Sequence, residues 1–474
     1  MKKIASAIII ILFIITKIEA QEVITQHFMQ YNPYSTTENP ANFTPLKGYF
    51  GFPGLSNFDL AITNTGFKYN KLFKTDSQGF PTTVTANKFV NSLTKYGNWL
   101  NMNLNEEILG FGFRAKRLFF SFSYRMRVDE YFRYSKDLFA LPINGNMSYT
   151  GEDNPADIDL NLNFTAYQEF SLGIQAEITK RVSIGIRPKF LIGMAAIRTN
   201  ELNAQLYTDP DTYNMNLLYN ADVAVMAALP LSISDSNTIE VNTDNIMQNW
   251  QSLLGNRGFA CDIGAWVRIN EHFGVGASMT DWGFINWKTQ GIRLTGKLAD
   301  GGQFYNNGNF YFSGFSADEI NQLINDDEYR NNLLDSLKEY FPYNMEEYTT
   351  TTYLSAKFSA EFYYQINPKH RFSAFFQGRM VRNNFYHRIT FAYNGHFGKV
   401  LDLCGTYSMM PDSYANFGIG LGLRLGFVYL YLATDNILGY IAPLNTSNVN
   451  TQLGIVFKWG KAKQLDLAEE SNKE

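Results

Sequence analysis

The chain of 474 residues lacks most of what a soluble enzyme or a helical membrane protein is built from. Beyond its first twenty residues it has no run of about 18–20 apolar residues, which excludes membrane-crossing helices. Its two cysteines, Cys261 and Cys404, are too few for a disulfide framework. The five histidines, His27, His272, His370, His387 and His396, are scattered, and no Cys/His metal spacing appears. Nucleophile-elbow and phosphate-loop motifs are also missing. We therefore expect no catalytic centre, no metal site and no cofactor. A net charge of −4 argues against a nucleic-acid partner. Proline is scarce, 14 against 36 glycines, which suits long strands.

What the chain does have is alternation. From Ile158 to Ile178 every even position except Gln168 is apolar, while the odd positions run Asp157, Asp159, Asn161, Asn163, Thr165, Tyr167, Glu169 and Ser171. A period of two over that length is a strand with one apolar and one polar face. Soluble strands average about 5–6 residues, and a membrane strand needs about 9–11, so the excess can project beyond a bilayer. Aromatic residues make up 16% of the chain, enough for girdles at two membrane interfaces. The predicted fold is all-β, a transmembrane antiparallel β-barrel that is apolar outside and polar inside.

Residues 1–20 read as a signal peptide, with Lys2 and Lys3 ahead of the apolar stretch Ala7–Ile15. A membrane anchor is the alternative, but that stretch is too short to span. Residues 21–56 show no period and contain Pro33, Pro40, Pro45 and Pro53. Their aromatic content is high for a disordered leader, so we expect an N-terminal plug or hatch inside the barrel. The wall then spans 57–460, and 461–474 forms a disordered periplasmic tail. Fourteen alternating stretches begin near 58, 108, 118, 158, 182, 259, 273, 354, 372, 385, 401, 415, 428 and 449. Counting a hairpin around Asp209-Pro210-Asp211 as wall gives sixteen. Tight turns fall at 116–117, 179–181, 270–272, 367–371, 395–399 and 426–427, which puts both termini on the periplasmic side. Short helices are expected in the long outer connections: Asn87–Trp99, Asp244–Leu254, and one capped by Ser316 and reaching Phe341.

The inward register collects charges of both signs: Arg125, Arg127, Asp159, Glu169, Glu177, Arg187, Lys189, Asp262, Arg268, Lys357, Glu361, Arg379, Arg388, Asp402 and Arg424. They form either a salt-bridged interior that holds a plug or a path for solute. Gly418, Gly420 and Gly422 share one inward face, where they leave room for another backbone or relieve curvature. Cys261 falls in an apolar register and Cys404 in a polar one, so no bridge is expected. Asp209, Asp211, Asp326 and Asp327 are either calcium ligands in outer loops or solvated turn residues.

Several passages resemble an uncharacterised Gram-negative outer-membrane barrel family, a domain of unknown function related to the long-chain fatty-acid transporter (FadL-type) superfamily. Glu38-Asn39-Pro40-Ala41-Asn42-Phe43 is similar to the Asn-Pro-Ala signature of the luminal hatch in those transporters. GFACDIGAWVRI at Gly258–Ile269, GVGASMTDWGFINWK at Gly274–Lys288 and YLATDNILGYIAP at Tyr431–Pro443 look like that family's central hairpin and penultimate strand. The C-terminus departs from the usual aromatic ending, since Phe457 and Trp459 precede a polar tail. The resemblance implies a hatch at Asn39, Pro40 and Ala41, and passive uptake of a hydrophobic or amphipathic small molecule across the outer membrane. Outer-membrane lipid would be its other partner. The rival expectation is a non-transporting scaffold or secretion accessory that grips a partner protein through its outer loops.

Overall fold

The computed structural model describes residues 24–66, 73–75, 81–84, 86–228, 231–233, 239–241, 254–298, 305–309, 312, 314–326, 328–329, 332–333, 343–381, 384–410, 413–442 and 446–462. The expected signal segment, the tail from residue 463, residues 244–253 and residues 334–341 of the helix expected after Ser316 lie outside them.

The strands, in chain order, are β1 (Leu46–Gly51), β2 (Asn57–Asn64), β3 (Phe73–Thr75), β4 (Pro81–Val84), β5 (Asn98–Ala115), β6 (Leu118–Tyr134), β7 (Ala156–Glu177), β8 (Val182–Thr208), β9 (Asn214–Ala227), β10 (Leu231–Ile233) and β11 (Ile239–Val241). There follow β12 (Arg257–Arg268), β13 (Phe273–Leu298), β14 (Tyr305–Asn309), β15 (Asn344–Tyr353), β16 (Lys357–Asn367), β17 (His370–Val381), β18 (Asn384–Phe397), β19 (Leu401–Met410), β20 (Ser413–Leu425), β21 (Val428–Thr434) and β22 (Asn448–Lys461). Eighteen of them form one sheet, antiparallel throughout, and it closes on itself.

Closure is made where β1 and β2, end to end, lie between β22 and β5. At the short-turn end the ring runs through β5, β6, β7, β8, β12, β13, β16, β17, β18, β19, β20, β21 and β22, which with that shared position gives fourteen places. Farther out, β9 takes the place of β12 between β8 and β13. The Asp209 hairpin therefore lengthens the wall without widening it. In the same way β15 continues β16 along β13.

The faces follow the alternation. Along β16, Lys357, Ser359 and Glu361 are buried while Phe358 and Phe362 are exposed. On β7, Leu172 is 60% exposed and its neighbour Ser171 only 2%. This inverts the pattern of a soluble protein. The apolar belt runs round the ring and is far wider than the patches soluble surfaces tolerate. Hydrocarbon is the medium that favours it, and a closed barrel leaves no unpaired edge within that medium.

Three expectations need correction. Residues 21–56 are not all irregular, because Leu46–Gly51 pairs with β22 and β5 as wall. That strand is short, flanked by prolines and cut off from β2 by a bulge at Phe52–Ser56, whose Phe52 N–H and Leu55 carbonyl still bond Ile455. Its period was too brief to detect. The helix expected at Asn87–Trp99 covers Ala86–Ser92, since Asn98 and Trp99 already belong to β5. The first strand, read as Phe58–Tyr69, ends as β2 at Asn64, and residues 67–72 lie outside the described set. The helix after Ser316 spans Ala317–Asn325 and begins with a capping box between Ser316 and Glu319. Both cysteines are free, with Cys404 buried.

Candidate functional site

The segment Ile24–Pro45 packs against the polar inner face of the wall. Two short 3-10 turns shape it, Thr25–Phe28 and Pro33–Thr36, the second capped by the Asn32 side chain. Asp435, just past β21, accepts from the backbone N–H groups of Ile24 and Thr25 at 2.9 Å each and from Thr25 Oγ1 at 2.6 Å. His27 Nε2 meets Glu361 of β16 at 2.7 Å, and Tyr34 donates to Glu107 of β5 at 2.5 Å. Thr36 gives its carbonyl to Arg187 of β8 at 2.7 Å, and Glu38 accepts from Gln377 of β17 at 2.6 Å. These partners belong to strands spread around the ring.

The expected hatch residues form a tight turn in which Asn39 Oδ1 accepts from Ala41 N at 2.9 Å. It rests on two glycines. A Cβ at Gly185 would overlap the backbone of Pro40 and Ala41, and one at Gly264 would overlap Asn39. The column Gly418, Gly420 and Gly422 does not receive this turn. Gly418 faces Thr25 and Thr406, Gly420 faces Met29 and Thr25, and Gly422 faces the Tyr429 ring. Two sets of missing side chains thus accommodate two parts of one segment.

Across the middle of the lumen, four cations and four carboxylates interlock among the described residues. Arg127 pairs with Glu169 at 3.2 Å and Asp281 at 2.9 Å. Lys189 reaches Asp262 at 2.8 Å and Asp281 at 2.6 Å. Arg187 holds Asp262 at 3.2 Å, while Lys357 bridges Asp281 at 3.2 Å and Glu38 at 3.9 Å. Buried charges persist only when partnered in this way. Arg125 belongs to a second group, with Ser123, Glu107 and Tyr34.

Other expected lumen residues lie elsewhere. Asp159 pairs with Arg133 at 2.9 Å near the outer end, where both are 37% exposed. Arg379 lines an outer cavity, and Arg268 lines one at the short-turn end. Asp209 closes a turn by accepting from Asp211 N and Thr212 N. Asp326 does the same for Glu328 N and Tyr329 N, and Asp327 lies outside the described residues. His272 sits in a turn as expected, His370 opens β17, and His396 is buried and bonds Asp402 at 2.7 Å.

The residues that pattern reading missed are Glu107, Asp281, Asp435, His27 and Arg371. Two of them left a trace. Outward apolar positions are odd through Val275, Ala277 and Met279, then even at Trp282 and Phe284, so one residue is extra. The register shift opposite Asp262 confirms it, and Asp281 turns inward with a positive φ of 58°. Glu107 sits at a similar shift in β5.

On either side of the ionic layer the lumen opens. Toward the long loops is a cavity of about 480 Å³ lined by Tyr131, Asn163, Arg198, Tyr348, Leu354 and Met380. Toward the short turns is one of about 330 Å³, lined by Tyr31, Phe43, Trp266, Arg268, Tyr363 and Arg371.

The closed ring, apolar outer belt and charged interior define an outer-membrane β-barrel. Within that class, residues 40–435 match a family described as a family of unknown function, DUF5723, and the chain belongs to it. Solved structures with a similar course include the toluene transporter TodX of Pseudomonas putida, with 8% identity, a TM-score of 0.41 and coverage of 93% of this chain and 97% of that one. The toluene transporter TbuX of Ralstonia pickettii gives 10%, 0.42, 91% and 95%. A FadL homologue of Pseudomonas aeruginosa gives 9%, 0.43, 94% and 99%. No curated protein matches the chain.

Proposed function

We propose that this barrel carries out passive uptake of amphipathic small molecules, with Ile24–Pro45 as its hatch. The observation behind this reading is the pair of cavities, about 480 and 330 Å³, at opposite ends of the lumen with the ionic layer and the N-terminal segment between them. Each cavity mixes aromatic walls with arginine, which suits a solute with one polar and one apolar end. No catalysis or cofactor enters this reading. Entry through the outer cavity would require the segment and its ion pairs to shift, and polar contacts can be exchanged for water and solute as they part. Purified protein in liposomes tests it with benzoate at neutral pH, where the ionised form crosses lipid slowly. Entry should be faster than in protein-free vesicles and should saturate; equal rates would reject uptake.

A second reading is supported by strand length. β8 has 27 residues and β13 has 26, against about 9–11 needed to span. The outer part of β7, β8, β9, β13 and β15 thus stands clear of the bilayer, as a scaffold that grips a partner protein requires. Removing 209–213 should leave flux intact and abolish surface binding if that reading holds.

A further inference from the structure

The short-turn cavity is arranged around Arg371. Its Nε–H donates to Gln365 Oε1 at 2.7 Å, and its guanidinium lies 4.2 Å from the centre of the Tyr363 ring. With the Gln30 amide turned so that its oxygen faces Arg371, that oxygen accepts from the guanidinium at 2.5–3.1 Å and the amide nitrogen donates to His396. Both acceptors are neutral. Glu361, which acts on Arg371 through space, is bound to His27 at 2.7 Å. Asp402 is held by His396 at 2.7 Å and Arg424 at 3.1 Å. Among the described residues no carboxylate pairs with Arg371.

A second group of the same cavity has a donor left over. Trp266 is 7% exposed, and its indole N–H has no acceptor among the described residues. Half-buried Arg371 and buried Trp266 line one space, and an anionic acceptor there would serve the cation and, once the ring tilts to uncover it, the shielded indole N–H. Tyr31, Phe43 and Pro45 add apolar and aromatic wall, beside the polar Asn42 and Ser183. At about 330 Å³ the cavity is small for a ligand site, since such sites range over about 300–1,000 Å³.

We infer that this cavity binds a small organic monoanion, a carboxylate carried on a compact aromatic or apolar body. The carboxylate lies between Arg371 and the Trp266 indole N–H, with Arg268 adding positive charge, and the body packs on Tyr31 and Phe43. This names the solute class of the uptake route and rests on that reading for its role, but binding does not depend on transport. An inorganic anion would satisfy the cation and leave the aromatic walls unused.

Calorimetric titration of the full-length protein in detergent tests the site with benzoate, its neutral isostere benzamide, and phosphate. Benzoate should saturate a single site. Benzamide should bind at least tenfold more weakly, since the charge-assisted bonds are lost. Phosphate should be weaker than benzoate by a similar factor. Arg371→Met should weaken benzoate at least tenfold. Trp266→Phe, which removes one donor and keeps a ring, should weaken it several-fold. Heat-modifiable gel migration verifies that each variant is folded. Equal affinity for benzoate and benzamide, phosphate as tight as benzoate, or no loss in either folded variant overturns the site. Benzoate binding without flux rejects uptake and keeps the site; flux without benzoate binding does the reverse.

Discussion

Thr25 and Asp435 lie 410 residues apart in sequence and form a hydrogen bond of 2.6 Å between hydroxyl and carboxylate. The contact ties the first described residues to the rim of the last wall hairpin. It also starts a chain of contacts. Arg388 donates to Asp435 at 3.3 Å and to Gln377 at 2.7 Å, and Gln377 donates to Glu38 at 2.6 Å. Thr25 and Glu38 are thereby linked through one run of wall side chains.

Asp435→Ala should release the start of that segment. The carboxylate accepts three bonds from it, and bonds to a charged group contribute roughly 1.5–3 kcal/mol each before losses elsewhere. Limited proteolysis with mass spectrometry should show new cleavage within 24–45 while the wall stays resistant. An unchanged cleavage pattern would count against the anchor.

Gly185→Val should displace the Asn39–Ala41 turn, because its Cβ would meet backbone atoms that cannot rotate away. Gly420→Trp should push on Met29 and Thr25 and raise solute leak. Gly405→Ala is the control, since nothing lies near its Cβ position. Conductance of single barrels in a planar bilayer checks all three. Leak that rises equally in the control would refute the close-packing account.

Ile174→Lys should impair assembly, while Gln175→Glu should be tolerated. Ile174 is 41% exposed on the outer face, and Gln175 is buried beside Arg114 with its Oε1 at 3.3 Å from the guanidinium. A lysine near the bilayer midplane costs roughly 2–4 kcal/mol. Folding yields in liposomes should separate the two variants, and equal yields would reverse the assignment of faces.

His27 should make the segment pH-dependent. Burial, the largest single influence, disfavours its charged form, but Glu361 at 2.7 Å, Glu38 and the Ser35 carbonyl together outweigh it, and the net effect raises its pKa above the ordinary 6.5. A raised folded pKa means the stabilisation is complete below 6.5 and is lost as pH climbs through the folded value. Protease sensitivity of residues 24–45 should therefore increase with pH above neutrality. His27→Gln should flatten that profile, and a profile identical to wild type would exclude His27 as its source.

Which face of each strand meets lipid and which turns inward is legible in the chain, because the apolar–polar period reports the surroundings of a side chain directly. That was enough for the barrel, for the alternation that buries Arg127, Asp262 and Glu361 while apolar neighbours stay exposed, and for the helix cap at Ser316. Tertiary structure decided everything that depends on a partner. Period two identifies a face and carries no information about what stands opposite, so the pairs His27–Glu361 and Thr25–Asp435 left no mark in it. Asp281 enters the ionic layer only because a bulge adds one residue opposite Asp262. Leu46–Gly51 becomes wall only because β22 and β5 present edges for it to pair with. The glycines of β20 look equivalent to Gly185 and Gly264 in the chain, yet the Asn39–Ala41 turn lies on the latter two, because closing the ring sets which inner faces meet which part of the chain.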